Sequence, residues 1–281
     1  MKVNNLYNNS NLKKIGEGGP FSIFEWQQDM SITPGNAVEA YFMKEMNYKK
    51  RQVLCKVNGD ALRFQAGAMQ WIAGNIEMSS GIKGAGNLFG KMVKSAVTNE
   101  SVAKPIYSGN GYIMLEPTFN YLLIEDVGSW GQGIVLDDGL FYACEDRINE
   151  RVVPRNNMSS AILGGEGFFN LTLSGEGYCV LESPVPREEL IEFVLDNDCL
   201  KVDGNMAIAW SSSLQFSVEK STKSLLGSAI SGEGFVNVFR GSGRVLLAPT
   251  MPGSVDHSSH GPETRVSSKG VLGSVINAVT D

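Results

Sequence analysis

The sequence predicts an all-β protein built of three tandem β units, and three observations carry that prediction. A Gly-x-Gly triplet flanked by apolar runs occurs three times in register. The step from Gly109 to Gly175 is the step from Gly175 to Gly241, and Gly111, Gly177 and Gly243 repeat it. Upstream of each triplet lies an Asn-Gly or Asp-Gly pair between two apolar runs, at Gly59, Gly139 and Gly204. Such pairs favour tight turns because they accept positive φ. Composition agrees: 32 glycines among 281 residues suit a turn-dense β chain, while 42% hydrophobic and 19% charged residues are ordinary for a folded protein.

Taken in order, residues 1–19 are asparagine-rich, lack a period and are expected to form a disordered head. From residue 20 the segment PFSIFEWQQDMSITPGNAVEAYFMKE reads as strands broken at Pro34-Gly35-Asn36. The triplicated domain is expected over 20–250, with units at about 20–124, 125–190 and 191–250. In each unit the Asn/Asp-Gly pair and the Gly-x-Gly triplet are read as the turns of two β-hairpins. The first unit carries an insertion, residues 81–97. Its apolar positions fall on one face of a short amphipathic helix, with Lys91 and Lys94 on the other. Docking on its own sheet is the plain expectation for that helix, with a protein partner or a membrane surface as alternatives.

Residues 183–198 look helical locally, with Pro186 followed by acidic residues, but the matching segment of the unit before is aromatic and β-branched. A strand through Ile191 and Leu195 is therefore expected, turning at Asp196-Asn197-Asp198. Residues 251–281 read as a flexible polar tail ending in a short helix over 270–281.

The chemistry of the side chains excludes several function classes. No nucleophile elbow, Walker loop, HExxH or EF-hand spacing occurs. The only histidines, His257 and His260, lie in the tail, so no strand offers a histidine to a metal. Cys55, Cys144, Cys179 and Cys199 are scattered singly in expected strands and read as small buried side chains. Trp71, Trp130 and Trp210 read as core. An acidic residue leads each glycine-rich segment: Glu100, Glu166 and Glu233, at the glycine step and then one position beyond it. Each is expected to clamp backbone N–H groups of its own turn. The alternative gathers the three around a pseudo-threefold axis, where a cation would have to join them; a separation beyond about 12 Å would remove that reading. No catalytic, cofactor-binding or metal-binding residue is assigned.

The net charge of −6 argues against nucleic acid as the main partner without removing it. Charge is uneven: residues 1–130 carry 13 basic and 11 acidic side chains, and 131–281 carry 11 and 19. The densest basic run, residues 44–56, is read as a solvated face. No apolar leader and no run of about 18 apolar residues is present, and a cytoplasmic protein is expected.

Several pieces together carry a resemblance: AGAMQWIAGNIEM, NLFGKMVKSAV, LFYACED, LGGEGFF with LSGEGY, and KSLLGSAISGEGFVNVFRGSGRVLLAP. The chain resembles a family of uncharacterised bacterial and archaeal proteins whose eukaryotic members form the "altered inheritance of mitochondria" group. The resemblance covers roughly residues 20–250. It implies a fold like that of the tryptophan RNA-binding attenuation protein, a short double-stranded β-helix, here three times in one chain. It also implies a ring-like homo-oligomer, with a trimer as the first expectation. The family offers no catalytic residues. The expected function is a non-catalytic scaffold or interaction protein that partners itself, at a membrane surface in one version; a nucleic-acid or small-ligand binding module is the alternative.

Overall fold

Leucine, valine and isoleucine alternating with polar residues extend the chain into fifteen strands among the described residues, which are 2–79, 104–154, 169–220 and 235–250 of a computed structural model. In order they are β1 (Leu12–Gly18), β2 (Phe21–Trp26), β3 (Arg51–Phe64), β4 (Met69–Ser79), β5 (Ile106–Leu115), β6 (Tyr121–Asp126), β7 (Ile134–Leu136) and β8 (Phe141–Glu145). There follow β9 (Asn149–Pro154), β10 (Phe169–Ser174), β11 (Tyr178–Ser183), β12 (Ile191–Asp203), β13 (Ala207–Ser211), β14 (Gln215–Lys220) and β15 (Phe235–Leu247). Among the described residues one α-helix, α1 (Ala37–Glu45), stands between β2 and β3.

The all-β expectation holds. One sheet runs β1-β2-β3-β8-β11-β6, with β5 on β3 and β4 on β5. The other runs β12-β15-β13-β7-β10-β9, with β14 also on β15. Every pairing is antiparallel. The sheets meet face to face in the middle of the chain, where Phe141, Cys179 and Leu181 of the first pack with Ile134, Leu171 and Ile208 of the second. Ile134→Val there removes one fully buried methyl and is expected to cost about 1 kcal/mol in urea unfolding.

Several local expectations need correction. The head is not disordered: β1 begins at Leu12, and Leu6 and Leu12 pack with Phe24, Leu54 and Met114. The asparagines around them build turns, Asn8 Oδ1 accepting from Asn5 N and Asn9 Oδ1 from Asn11 N. Residues 37–45 are helical because Ala, Glu, Met and Lys favour helix once Pro34-Gly35 has broken the strand; α1 buries none of its residues. The strand expected at Ile191 is present but runs on to Asp203, with an irregularity between Leu195 and Asp198 where Asn197 takes φ +51°. The unit boundary at 124/125 falls inside β6.

None of the Asn/Asp-Gly pairs closes a hairpin. Asn58-Gly59 is an irregularity inside β3, which keeps pairing with β5 on both sides of it. Asp138-Gly139 carries the chain from β7 in one sheet to β8 in the other. Asp203-Gly204 links strands on opposite edges of β15. That last turn shows how sharply β15 bends. Asp203 pairs with Val236 and Ala207 with Leu247, although residues 203 and 207 lie at most about 14 Å apart along the chain. A straight strand would separate Val236 from Leu247 by about 36 Å. β15 therefore folds back on itself.

Candidate functional site

The bend of β15 falls at its Gly-x-Gly triplet, and none of the three triplets, termed kinks below, is the hairpin turn the sequence suggested. Gly109 and Gly111 lie inside β5, and Gly241 and Gly243 inside β15. Gly175 and Gly177 lie between β10 and β11, which belong to different sheets, so there the kink moves the chain from one sheet to the other. Close backbone approach demands glycine. A Cβ on Gly109, at φ +129°, would sit 2.2 Å from the Asn75 carbonyl oxygen. Beyond the second and third kinks the same bond recurs: Glu145 Oε2 accepts from Tyr178 N at 2.7 Å, and Ser211 Oγ accepts from Arg244 N at 2.9 Å. Glu145 to Ser211 and Tyr178 to Arg244 are both the step that separates Gly175 from Gly241.

Similar pairings recur around the triplets. β5 is flanked by β3 and β4, and β15 by β12 on one edge and β13 with β14 on the other. Between them, β10 pairs with β7 and β9, and β11 with β6 and β8. A register shift falls at Met69/Trp71 of β4 and Ala207/Ala209 of β13, and β8 pairs through Phe141 and Ala143 in the same way.

Two junctions tie these groups of strands together, and they share one register. In the first, Leu62 pairs with Glu145 and Phe64 with Ala143. In the second, Ile134 pairs with Ser211 and Leu136 with Ala209. Flanking bonds repeat too: Asp146 N donates to Ala61 O as Ser212 N does to Gly133 O, and Gln65 N donates to Tyr142 O as Asp137 N does to Ile208 O. β8 and β13, which receive these contacts, are buried at all five positions. β4 and β12 stand in the corresponding places at the two ends and have an unpaired outer edge among the described residues. They are exposed accordingly: Met69 and Ile72 on β4, and Ile191, Phe193 and Val194 on β12, are each at least 37% accessible.

The basic run at 44–56 is no open patch: Lys49 Nζ lies 3.2 Å and Arg51 Nη2 2.9 Å from the Glu25 carboxylate, and Lys50 Nζ lies 2.6 Å from Asp29. Arg51 is 2% exposed and stacks its guanidinium 4.0 Å from the Tyr121 ring. This buried pair escaped the sequence reading, although Arg51 opens the apolar run of a central strand. It borders a polar cleft of about 490 Å³ lined by Glu17, Glu25, Glu125, Arg187 and Glu188 among others.

Burial raises the pKa of Glu125, while Arg187, the Trp130 N–H and Arg244 pull it down. The raised value means the fold favours the protonated acid, so its stabilising share is complete below the unfolded pKa of about 4 and is lost as pH rises through the folded one. Glu125→Gln is therefore expected to raise the melting temperature at pH 7, the gain vanishing below about pH 4 in parallel thermal melts.

The predicted positions are distributed as follows. Gly59, Gly139 and Gly204 have φ of +82°, +81° and +62°, with open space where a Cβ would stand. Glu100, Glu166 and Glu233 lie outside the described residues, as do the 81–97 insertion and the tail, so the three-carboxylate reading has no geometry to meet it. Cys55, Cys144 and Cys179 are buried, and burial raises each thiol's pKa; Cys199 is exposed, against expectation, on the outer side of β12. Trp130 and Trp210 are core, whereas Trp71 is half-buried on β4. Among the described residues no cluster of three or more His, Cys, Asp or Glu is placed to hold a metal ion, and no helix is long and apolar enough to cross a membrane.

Comparison with known proteins agrees with the β architecture. Residues 45–250 match the family described as Mitochondrial biogenesis AIM24. An uncharacterized protein of Streptococcus pyogenes serotype M6, M6_Spy0233, is 26% identical over 198 residues, covering 68% of this chain and 77% of its own. The crystal structure of protein SPYM3_0169 from Streptococcus pyogenes superposes with a TM-score of 0.52 at 25% identity, covering 72% of this chain and 88% of that one.

Proposed function

The chain belongs to the Mitochondrial biogenesis AIM24 family, and from that premise we propose that it is a non-catalytic scaffold which works by assembling with copies of itself. The proposal includes the finer fold reading. Strands β1–β5, β6–β11 and β12–β15 are three copies of one kinked β unit, the short double-stranded β-helix that the attenuation protein's fold resembles. One observation carries it: the two junctions between these groups use the same register and the same flanking bonds. A unit that hands an edge to its neighbour twice within a chain leaves one donor edge and one acceptor edge at the ends. Unpaired edges of this kind seek a strand.

Self-association is the direct test. Sedimentation velocity at micromolar concentration is expected to give a species heavier than one 30.4 kDa chain. A single 30.4 kDa species across a tenfold concentration range would remove the scaffold reading.

A further inference from the structure

We infer that the outer edge of β12 at residues 199–203 in one copy pairs antiparallel with the outer edge of β4 at residues 70–74 in a second copy, joining chains head to tail. This rests on the self-assembly reading above and names its interface.

Register fixes the pairing. Against the central kinked strand of each group, Leu62 faces Tyr107, Ile134 faces Leu173 and Leu200 faces Phe239. Tyr107, Leu173 and Phe239 follow one another at the glycine step, so Leu62, Ile134 and Leu200 are equivalent positions. Phe64, Leu136 and Val202, each two positions further on, are equivalent by the same reasoning. On the receiving side, Ile72 faces Ile113, Cys144 faces Cys179 and Trp210 faces Val245, and these partners again follow one another at the glycine step. Ala73, Glu145 and Ser211 follow as an equivalent set, as do Trp71, Ala143 and Ala209.

Leu62 pairs with Glu145, and Ile134 with Ser211. Leu200 of one chain therefore meets Ala73 of the next, and Val202 meets Trp71. The repeated flanking bonds place Gly74 N on Cys199 O and Asp203 N on Gln70 O. Chemistry agrees with the geometry: the donor side is apolar at both positions in all three sets. In two of the three both side chains are buried, whereas in the third Val202 is buried within its own chain and Leu200 is still half-exposed. Among the described residues the outer-facing Cys199 N–H donates to the neighbouring Asp198 carboxylate, at 2.7 Å, and to no strand. The edges differ from each other, so the contact is heterologous and propagates in one direction.

The test is a cross-link at the pair between the flanking hydrogen bonds. In a Cys199→Ser background, Ala73→Cys with Leu200→Cys is expected to give, on oxidation, a ladder of disulfide-linked chains that reduction collapses. Each single variant should stay at one chain on the same gel, and the off-register pair Ala73→Cys with Val202→Cys should cross-link at least tenfold more slowly. Lys201→Pro, which removes an outward N–H of β12, is expected to shift the sedimenting species to 30.4 kDa while keeping the far-ultraviolet circular dichroism of a β protein. Oxidation to a monomer with both thiols consumed would overturn the proposal by closing the edges within one chain. An assembly that forms without the ladder would overturn this interface and leave self-association standing. A wild-type monomer would overturn both.

Discussion

Glu25→Ala is expected to destabilise the fold by about 3 to 5 kcal/mol, read as a fall in the urea midpoint at constant m-value. The Arg51 guanidinium, 2% exposed, donates from Nε to Glu25 Oε2 at 3.0 Å, holds Nη2 2.9 Å from the same oxygen, and gives further N–H groups to the carbonyls of Lys49, Phe119 and Asn47. Those carbonyls orient the cation but do not neutralise it. Removing the carboxylate leaves a charge buried between β2, β3 and the Tyr121 ring, and the cost is that of an unmatched ion, not of one lost bond. Replacing both partners, Glu25→Leu with Arg51→Met, is expected to cost less than Glu25→Ala alone, because the buried guanidinium is then no longer stranded and only the more exposed Lys49 loses its partner. A double variant worse than the single would mean that the pair holds the strands by shape and bonding, not by charge balance.

Gly109→Ala is expected to cost about 3 kcal/mol, with a clear fall in melting temperature. Two costs add at this site. The backbone stands at φ +129°, where an L side chain is strained, and the new Cβ would lie 2.2 Å from Asn75 O, an atom of the facing strand that cannot rotate aside. Gly59→Ala is the internal control. Its φ of +82° carries strain of about 1 kcal/mol, but nothing stands within 4 Å of the new methyl. Equal losses at the two positions would show that backbone strain alone, and not the close approach of β4 to β5, makes glycine necessary.

These two sites show what the sequence made legible. The constant glycine step marked positions of unusual backbone, since Gly109, Gly175 and Gly241 all take positive φ, the first and last inside strands and Gly175 between β10 and β11. Their geometry was misread because positive φ serves a hairpin turn and a strand bend equally well, and only long-range pairing separates the two. The Asn/Asp-Gly pairs misled for the same reason. Head and helix were lost differently: two leucines among asparagines are too few to show a period, and a short helix that buries nothing leaves no amphipathic stripe. Arg51 read as a surface charge because its partner Glu25 is distant in the chain, across a strand pairing that composition does not reveal. The edges of β4 and β12 were legible only after the registers of the inner junctions were known.

Electron microscopy of the wild-type particle tests the central claim most directly. If matching edges join chains head to tail, class averages will show a cyclic ring or an open filament in which successive chains are related by one repeated rotation. Single-chain particles, or dimers related by a two-fold axis that brings like edges together, would contradict it.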